Sequence, residues 1–327
     1  MVTPDQISWG KYKGFAGPFF GGSVKYKLPD DPSENDRRLC VVTATEGGTY
    51  DAINMYDRCI VSIGIIQWCE ANYFLTSRLL HYVAETLGAE KILDPLKPAL
   101  DMCCAEFKKN ASGQWRFHFK DPKKGEVNTG EKQRELFLGC DGKEDSWTPI
   151  AEVRARLWAA CLANIWQDPA ACKAHAEYTS KKLRGFILPE AAKILFDDKP
   201  NDGWVGMMRA AAISFAANLP AVAGKHIVSA SAKLTSPKWS PEWCIGMLQE
   251  LTFAPNIAIY PGRYDKIRPV LEKLWSVSLP LDAAALKKWK PTTPHNPTPQ
   301  PAPIVPQPPN PTPEPPKPAP VSSPNLF

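Results

Sequence analysis

The stretch Glu46-Gly47-Gly48-Thr49-Tyr50-Asp51-Ala52-Ile53-Asn54-Met55-Tyr56-Asp57-Arg58-Cys59-Ile60-Val61-Ser62-Ile63-Gly64-Ile65-Ile66-Gln67-Trp68 puts a carboxylate where a helix must stop. A polar loop with two further acids follows, then an apolar run carrying Gly64 and Gln67. Upstream, Ser33-Glu34-Asn35-Asp36 has capping-box spacing: a hydroxyl that accepts from the backbone three residues on, and an acid there that reaches back. It predicts a helix through Leu39, Val42 and Thr43. Gly47-Gly48 ends that helix, because glycine takes the left-handed cap conformation at little cost. Glu46 therefore falls on the last turn, near the negative end of the helix dipole and beside an apolar wall. Both influences disfavour the charged form. A carboxyl held protonated near neutral pH is what a general acid in glycosidic cleavage has to be.

These residues resemble the lysozyme-like superfamily. Glu-Gly at a helix end, then Tyr-Asp, then Ser62-Ile63-Gly64-Ile65 is similar to the phage-type lysozymes. Asp57, seven positions before Gly64-Ile65-Ile66, is similar to bacterial chitosanases. Gly64-Ile65-Ile66-Gln67 resembles the Gly-x-x-Gln of lytic transglycosylases and goose-type lysozymes. The resemblance covers about residues 33–70. It implies a mainly α fold: a lysozyme-like helical domain with a small β-hairpin next to the catalytic Glu. It also implies a peptidoglycan-cleaving, muramidase-like enzyme, in the setting of a phage or prophage lysin or a virion-associated wall hydrolase. Lytic transglycosylase and chitosanase-like activities are the enzymatic alternatives. A non-catalytic glycan-binding or structural phage protein that kept the fold is the alternative of another class.

Hydrolysis with inversion needs a second carboxylate, roughly 6.5–9.5 Å from the acid, to activate water. Asp57 is the first candidate, in a segment expected to turn back as a hairpin. Asp51 competes for that role, and its alternative is to brace the loop through backbone hydrogen bonds. Ser62 occupies, offset by one residue, the place of the strand threonine of the phage-type lysozymes, where a hydroxyl positions the attacking water; its alternative is to bond a nearby backbone group. Asn54 reads as bonding sugar or orienting a carboxylate, the Gln67 amide suits N-acetyl groups or sugar hydroxyls, and Trp68 offers either a stacking face or a core side chain. Arg209, in an apolar helix, requires an acidic partner, with Glu46 or Asp51 as candidates.

The chain has 327 residues and a net charge of +5, with short, dispersed lysine pairs that argue against a nucleic-acid partner and suit an anionic polymer such as peptidoglycan. Nine cysteines without a C-x-x-C pairing read as reduced thiols, with neither a disulfide framework nor a zinc site. The five histidines show no metal-ligand spacing, and neither metal nor cofactor is expected. The N-terminus lacks the charged and apolar regions of a secretory signal, and no apolar run approaches the ~20 residues of a membrane span. Synthesis in the cytoplasm and action on the cell wall follow as expectations.

Of 34 prolines, 16 fall in residues 291–327. That stretch predicts a disordered, polyproline-like spacer with little to bury. Recognition of its PxxP pattern by an aromatic groove is the alternative reading, with the partner unknown. The folded domain is expected over 1–290. Within it, residues 9–31 read as a short strand or an arm over the core. Helices are expected over Ala71–Leu87, about Pro98–Lys109, Ile150–Trp166, Ala170–Gly185, Trp204–Asn218, Pro241–Leu251 and Tyr264–Trp275. Trp204–Asn218 should be central and buried. Trp115–Phe119 alternates like an exposed hairpin strand.

Overall fold

In the computed structural model Ser33 opens α1 (Glu34–Glu46) as its spacing requires. Its Oγ accepts from the Asp36 amide at 3.2 Å, and Asp36 Oδ2 accepts from the Ser33 amide at 3.0 Å. Gly47 and Gly48 take φ of 97° and 66°, the left-handed region that stops the helix. The structure describes residues 1–56, 60–70, 74–103, 105–121, 125–127, 130–255 and 259–290. Asp57 and the proline-rich segment 291–327, on which two of the sequence expectations rest, lie outside the described residues.

Leu39, Val41 and Val42 of α1 are fully buried, and the helix packs against α8 (Gly203–Asn218) and α11 (Tyr260–Trp275). Each such side chain contributes ~1.5–3 kcal/mol when withdrawn from water. Helix α8 is central, as its alanine-rich run predicts. Met207, Met208, Ala210–Ile213, Phe215 and Ala216 have no exposure, and α9 (Pro220–Lys233) and α10 (Pro241–Thr252) pack against it as well.

The N-terminal segment is more than an arm. Strands β1 (Ser8–Tyr12) and β2 (Phe15–Phe20) pair as a hairpin. They continue through β3 (Ile53–Asn54), β4 (Ser62–Ile63) and β5 (Trp68–Cys69) into one five-stranded antiparallel sheet. The sheet is larger than the small hairpin expected beside Glu46. Its pleat sorts the motif into two faces. Ile53, Ile63 and Trp68 pair in register and are buried; Phe19, Asn54, Ser62 and Cys69 form the matching row on the other face.

Helix α2 (Leu75–Leu87) ends at Gly88 as expected. The helix expected over Pro98–Lys109 is a correction. Helix α3 runs Glu90–Met102 with Pro95 and Pro98 inside it, and residues 105–109 are strand β6 (Ala105–Lys109). Pro98 had suggested a first-turn proline, while the buried Ala105 and Phe107 alternate with exposed neighbours at the strand period. Strand β7 (Trp115–Asp121) joins β6 and β8 (Gly125–Val127) in a second antiparallel sheet. It is not exposed: Phe117, His118 and Phe119 are buried. Phe117 and Phe119 meet Phe137 of α4 (Gly130–Leu138) and Trp158 of α5 (Pro149–Ile165), with ring centroids 4.5–6.4 Å apart.

The remaining helices are α6 (Pro169–Lys182), α7 (Pro189–Leu195) and α12 (Ala283–Lys288). Helices α4, α7, α9 and α12 are not among the helices expected from the sequence. The class is mainly α with minor β, twelve helices among the described residues, none of them long and apolar enough to cross a membrane.

Candidate functional site

Glu46 is the last residue of α1, and its side chain is 17% exposed. Arg263 of α11 donates from Nη2 to its Oε1 at 2.5 Å. The guanidinium is itself buried and fixed, with Nη1 donating to Thr45 Oγ1 and to the Ser214 carbonyl, both at 2.7 Å. The helix C-terminus repels negative charge at this position, and the guanidinium attracts it. Arg263 escaped the sequence reading, yet it stands on the stripe Tyr260, Arg263, Tyr264, Ile267, Leu271 that α11 buries. A cation on an apolar helical stripe is the signal that marks it.

Arg209 pairs with neither Glu46 nor Asp51, a second correction. Its guanidinium reaches Asp197 Oδ1 at 2.8 Å, Asn201 Oδ1 at 2.6 Å and the Lys199 carbonyl at 2.9 Å, and it also contacts the Leu195 carbonyl. These partners lie at the C-terminal end of α7 and in the turn between it and α8, so polar atoms close in sequence satisfy it.

Asp51 is fully buried and saturated. It accepts from the Ser23 amide at 2.8 Å, Ser23 Oγ at 2.8 Å, the Val24 amide at 2.9 Å and Gln167 Nε2 at 3.0 Å. Asp51 thus ties the N-terminal arm to the loop after α1 and to the corner between α5 and α6.

Asn54 and Ser62 stand directly opposite each other on adjacent strands. Asn54 Oδ1 accepts from the Tyr56 amide at 3.0 Å. The Ser62 hydroxyl, on a 3% exposed residue, has no hydrogen-bond partner among the described residues. Phe19 is the next residue along the same row, 37% exposed, with the Tyr56 ring edge-on at 5.7 Å. The structure therefore assembles an aromatic pair, an amide and a free hydroxyl on one sheet face. Phe19 was not singled out in the sequence because it lies 35 residues before Asn54.

Gln67 and Trp68 stand apart from that row. Gln67 Nε2 donates to the Gly64 carbonyl at 3.1 Å and closes the β4–β5 turn. Trp68 is buried, with Nε1 donating to Thr179 Oγ1 at 3.1 Å and its ring against Tyr178 and Phe186. Gly64 is required by close approach, since a Cβ there would meet the His175 ring at 1.9 Å. His175 is fully buried between Tyr50 and Trp166, and both ring nitrogens lack partners among the described residues. Burial alone pulls its pKa down to about 3. An acid that sequence reasoning missed is Glu70, also fully buried. It accepts from the Ser77 amide at 2.8 Å and Ser77 Oγ at 2.6 Å, and so caps α2.

Among the described residues no cluster of His, Cys, Asp and Glu is placed to hold a metal ion, and the described cysteines are free thiols. No protein-family profile, curated protein or solved structure matches this chain.

Proposed function

We propose that this chain is a lysozyme-like glycoside hydrolase acting on peptidoglycan, with Glu46 as the group that handles the proton of the glycosidic oxygen. The observation that carries the reading is the position of Glu46: a carboxyl on the final residue of a buried helix, reachable by solvent, directly before a glycine break and an antiparallel sheet. On that sheet Phe19, with Tyr56 edge-on against it, offers ring surface for sugar faces, while Asn54 and the buried Ser62 place polar groups along the same row. The Thr45 and Ser214 contacts hold the Arg263 guanidinium in place beside Glu46. Asp57 keeps its sequence-based role as the water-activating carboxylate of an inverting hydrolase. A phage lysin or virion-associated wall enzyme is the setting that the resemblance implies.

One observation favours a second reading. The Glu46–Arg263 pair also ties α1 to α11, and a buried guanidinium that serves only to staple two helices is what a non-catalytic glycan-binding protein would keep. Mass spectrometry of purified wall incubated with the protein separates the readings. Ordinary reducing muramic ends support the hydrolase, 1,6-anhydro ends would make it a lytic transglycosylase, and an unchanged wall would leave the binding protein. A chitosanase-like activity would show instead as cleavage of chitosan.

A further inference from the structure

A groove of about 560 Å³ lies between α9, the C-terminal turns of α10 and the end of α12. That volume is within the range of small-molecule sites. Spacing sets its wall along α9: Lys225, Ser229 and Lys233 recur every fourth residue and therefore share one face of the helix. Lys287 enters from α12. The half-buried Phe253 ring, with Lys287 Nζ 5.7 Å from its centroid, supplies the apolar part.

Three ammonium groups share the groove with one carboxylate. Glu250 stands 3.8 Å from Lys233, near the long limit of an ion pair, and Lys225 and Lys287 have no ion-pair partner among the described residues. A lysine in the last turn of a helix ordinarily answers the carbonyls exposed there. At the end of α12 Gln249 takes that role, its Nε2 donating to the carbonyls of Leu286, Lys287 and Trp289 at 2.9, 3.1 and 3.3 Å. The Lys287 ammonium is left uncommitted. The Ser229 hydroxyl and the His226 ring also have no hydrogen-bond partner among the described residues. The groove is thus rich in open donors and carries two positive charges that its own carboxylate does not balance.

We infer that this groove binds a small phosphomonoester. Such a group brings a charge of about −1.5 to −2 near neutral pH and three acceptor oxygens, which matches both the unbalanced charge and the open donors. A carboxylate brings a single charge and leaves the groove half neutralised. Lys225 and Lys233 stand about 12 Å apart along the α9 axis, and their flexible four-carbon stems let both ammonium groups close on one compact anion. Lysine binds phosphate as such a point charge, while the Phe253 ring receives the organic part of the ester. The inference is independent of the glycan reading, because the groove and the Glu46 site share no residue.

Isothermal titration of the full chain with phenyl phosphate, phenyl sulfate and inorganic phosphate tests this, with circular dichroism as the folding control for each variant. The sulfate ester keeps the ring and the tetrahedral head but carries a single charge, and inorganic phosphate lacks the ring. Phenyl phosphate should bind about tenfold more tightly than phenyl sulfate, and about threefold more tightly than inorganic phosphate. The Lys225→Gln/Lys287→Gln double variant should weaken phenyl phosphate at least about tenfold and bring the two esters within about twofold of each other. Lys25→Gln/Lys27→Gln removes the same charge from exposed positions outside the groove and should change neither affinity. Glu250→Gln should tighten phenyl phosphate by about threefold, because it removes the opposing carboxylate. Equal binding of the two esters, or no binding of either, would overturn the inference. So would an unchanged affinity in the groove variant, an equal loss in the Lys25/Lys27 control, or weaker binding after Glu250→Gln. Inorganic phosphate bound as tightly as the ester would also overturn it, by reducing the groove to a general anion site.

Discussion

Glu46 at the end of α1 and Asp51 in the loop after it lie five residues apart, and the fold treats them in opposite ways. Asp51 has no exposure and four donors, close to the lone-pair capacity of a carboxylate. Glu46 is partly open to solvent and has one guanidinium partner drawn from the far end of the domain. An acid whose acceptor sites are all filled by its own protein is a brace, because any ligand must first break internal bonds. An acid with open acceptor sites keeps capacity for a ligand, and here a fixed cation stands beside it. The contrast gives Asp51 a bracing role and leaves Glu46 as the proposed catalytic carboxyl.

The sharpest way to break that contrast is Glu46→Gln. The amide is nearly isosteric but cannot act as an acid, so wall cleavage should fall about 10²–10⁴-fold. The thermal midpoint should stay within a few degrees of wild type. Near wild-type turbidity clearance by the folded variant would remove Glu46 from catalysis.

Asp51→Ala should show the opposite profile. It strands the Ser23 and Val24 amides and the Gln167 side chain, at a cost of about 3 kcal/mol in chemical denaturation. An unchanged urea midpoint would show that Asp51 braces nothing.

His175 probes the same side of the loop through pH. Its folded pKa is depressed from the ordinary ~6.5 to about 3, so the native state binds fewer protons than the unfolded chain. Its contribution is present above pH ~6.5 and is lost as pH falls toward ~3, by up to ~1.4 kcal/mol per unit. Urea titrations at pH 7 and pH 5 should therefore show a loss that shrinks in His175→Leu. An equal loss in both proteins would place the acid sensitivity elsewhere.

The smallest effect is expected from Arg263→Lys. It keeps the charge beside Glu46 but cannot reach Thr45, Ser214 and Glu46 together, for a cost of about 1 kcal/mol. If Arg263 only staples helices, cleavage should be unaffected; if it positions the Glu46 carboxyl, the pH profile of cleavage should change while the fold remains. Wild-type cleavage with a wild-type profile would leave the pair purely structural.

Much of the fold was legible because its signals are short-ranged. The Ser33–Asp36 box, the Gly47-Gly48 stop and the Gly88 end of α2 each act within four residues of the boundary they set. The unbroken apolar run of α8 announced its burial. Where signals conflicted, the reading failed: Pro98 imitated a helix start inside α3, and residues 105–109 were taken into the helix when they form a strand. The candidate site was legible in part. Asn54 and Ser62 share a strand register that period-2 alternation permits, but Phe19, Arg263 and Glu70 join the picture through contacts that no local pattern encodes.

The sequence by itself determined where α1 stops and therefore that a carboxyl sits at its end, since cap chemistry needs only neighbouring residues. It also determined the mainly helical class, through apolar spacing repeated along the chain. Which charges meet was decided by the tertiary structure alone. Arg263 reaches Glu46 across 217 positions, while Arg209, the cation that the sequence suggested, closes on Asp197 only 12 positions away. The physical reason is range. Propensity, capping and periodicity act over one or two turns, whereas pairing depends on which helix faces are brought together, a matter of the whole core and of no single segment.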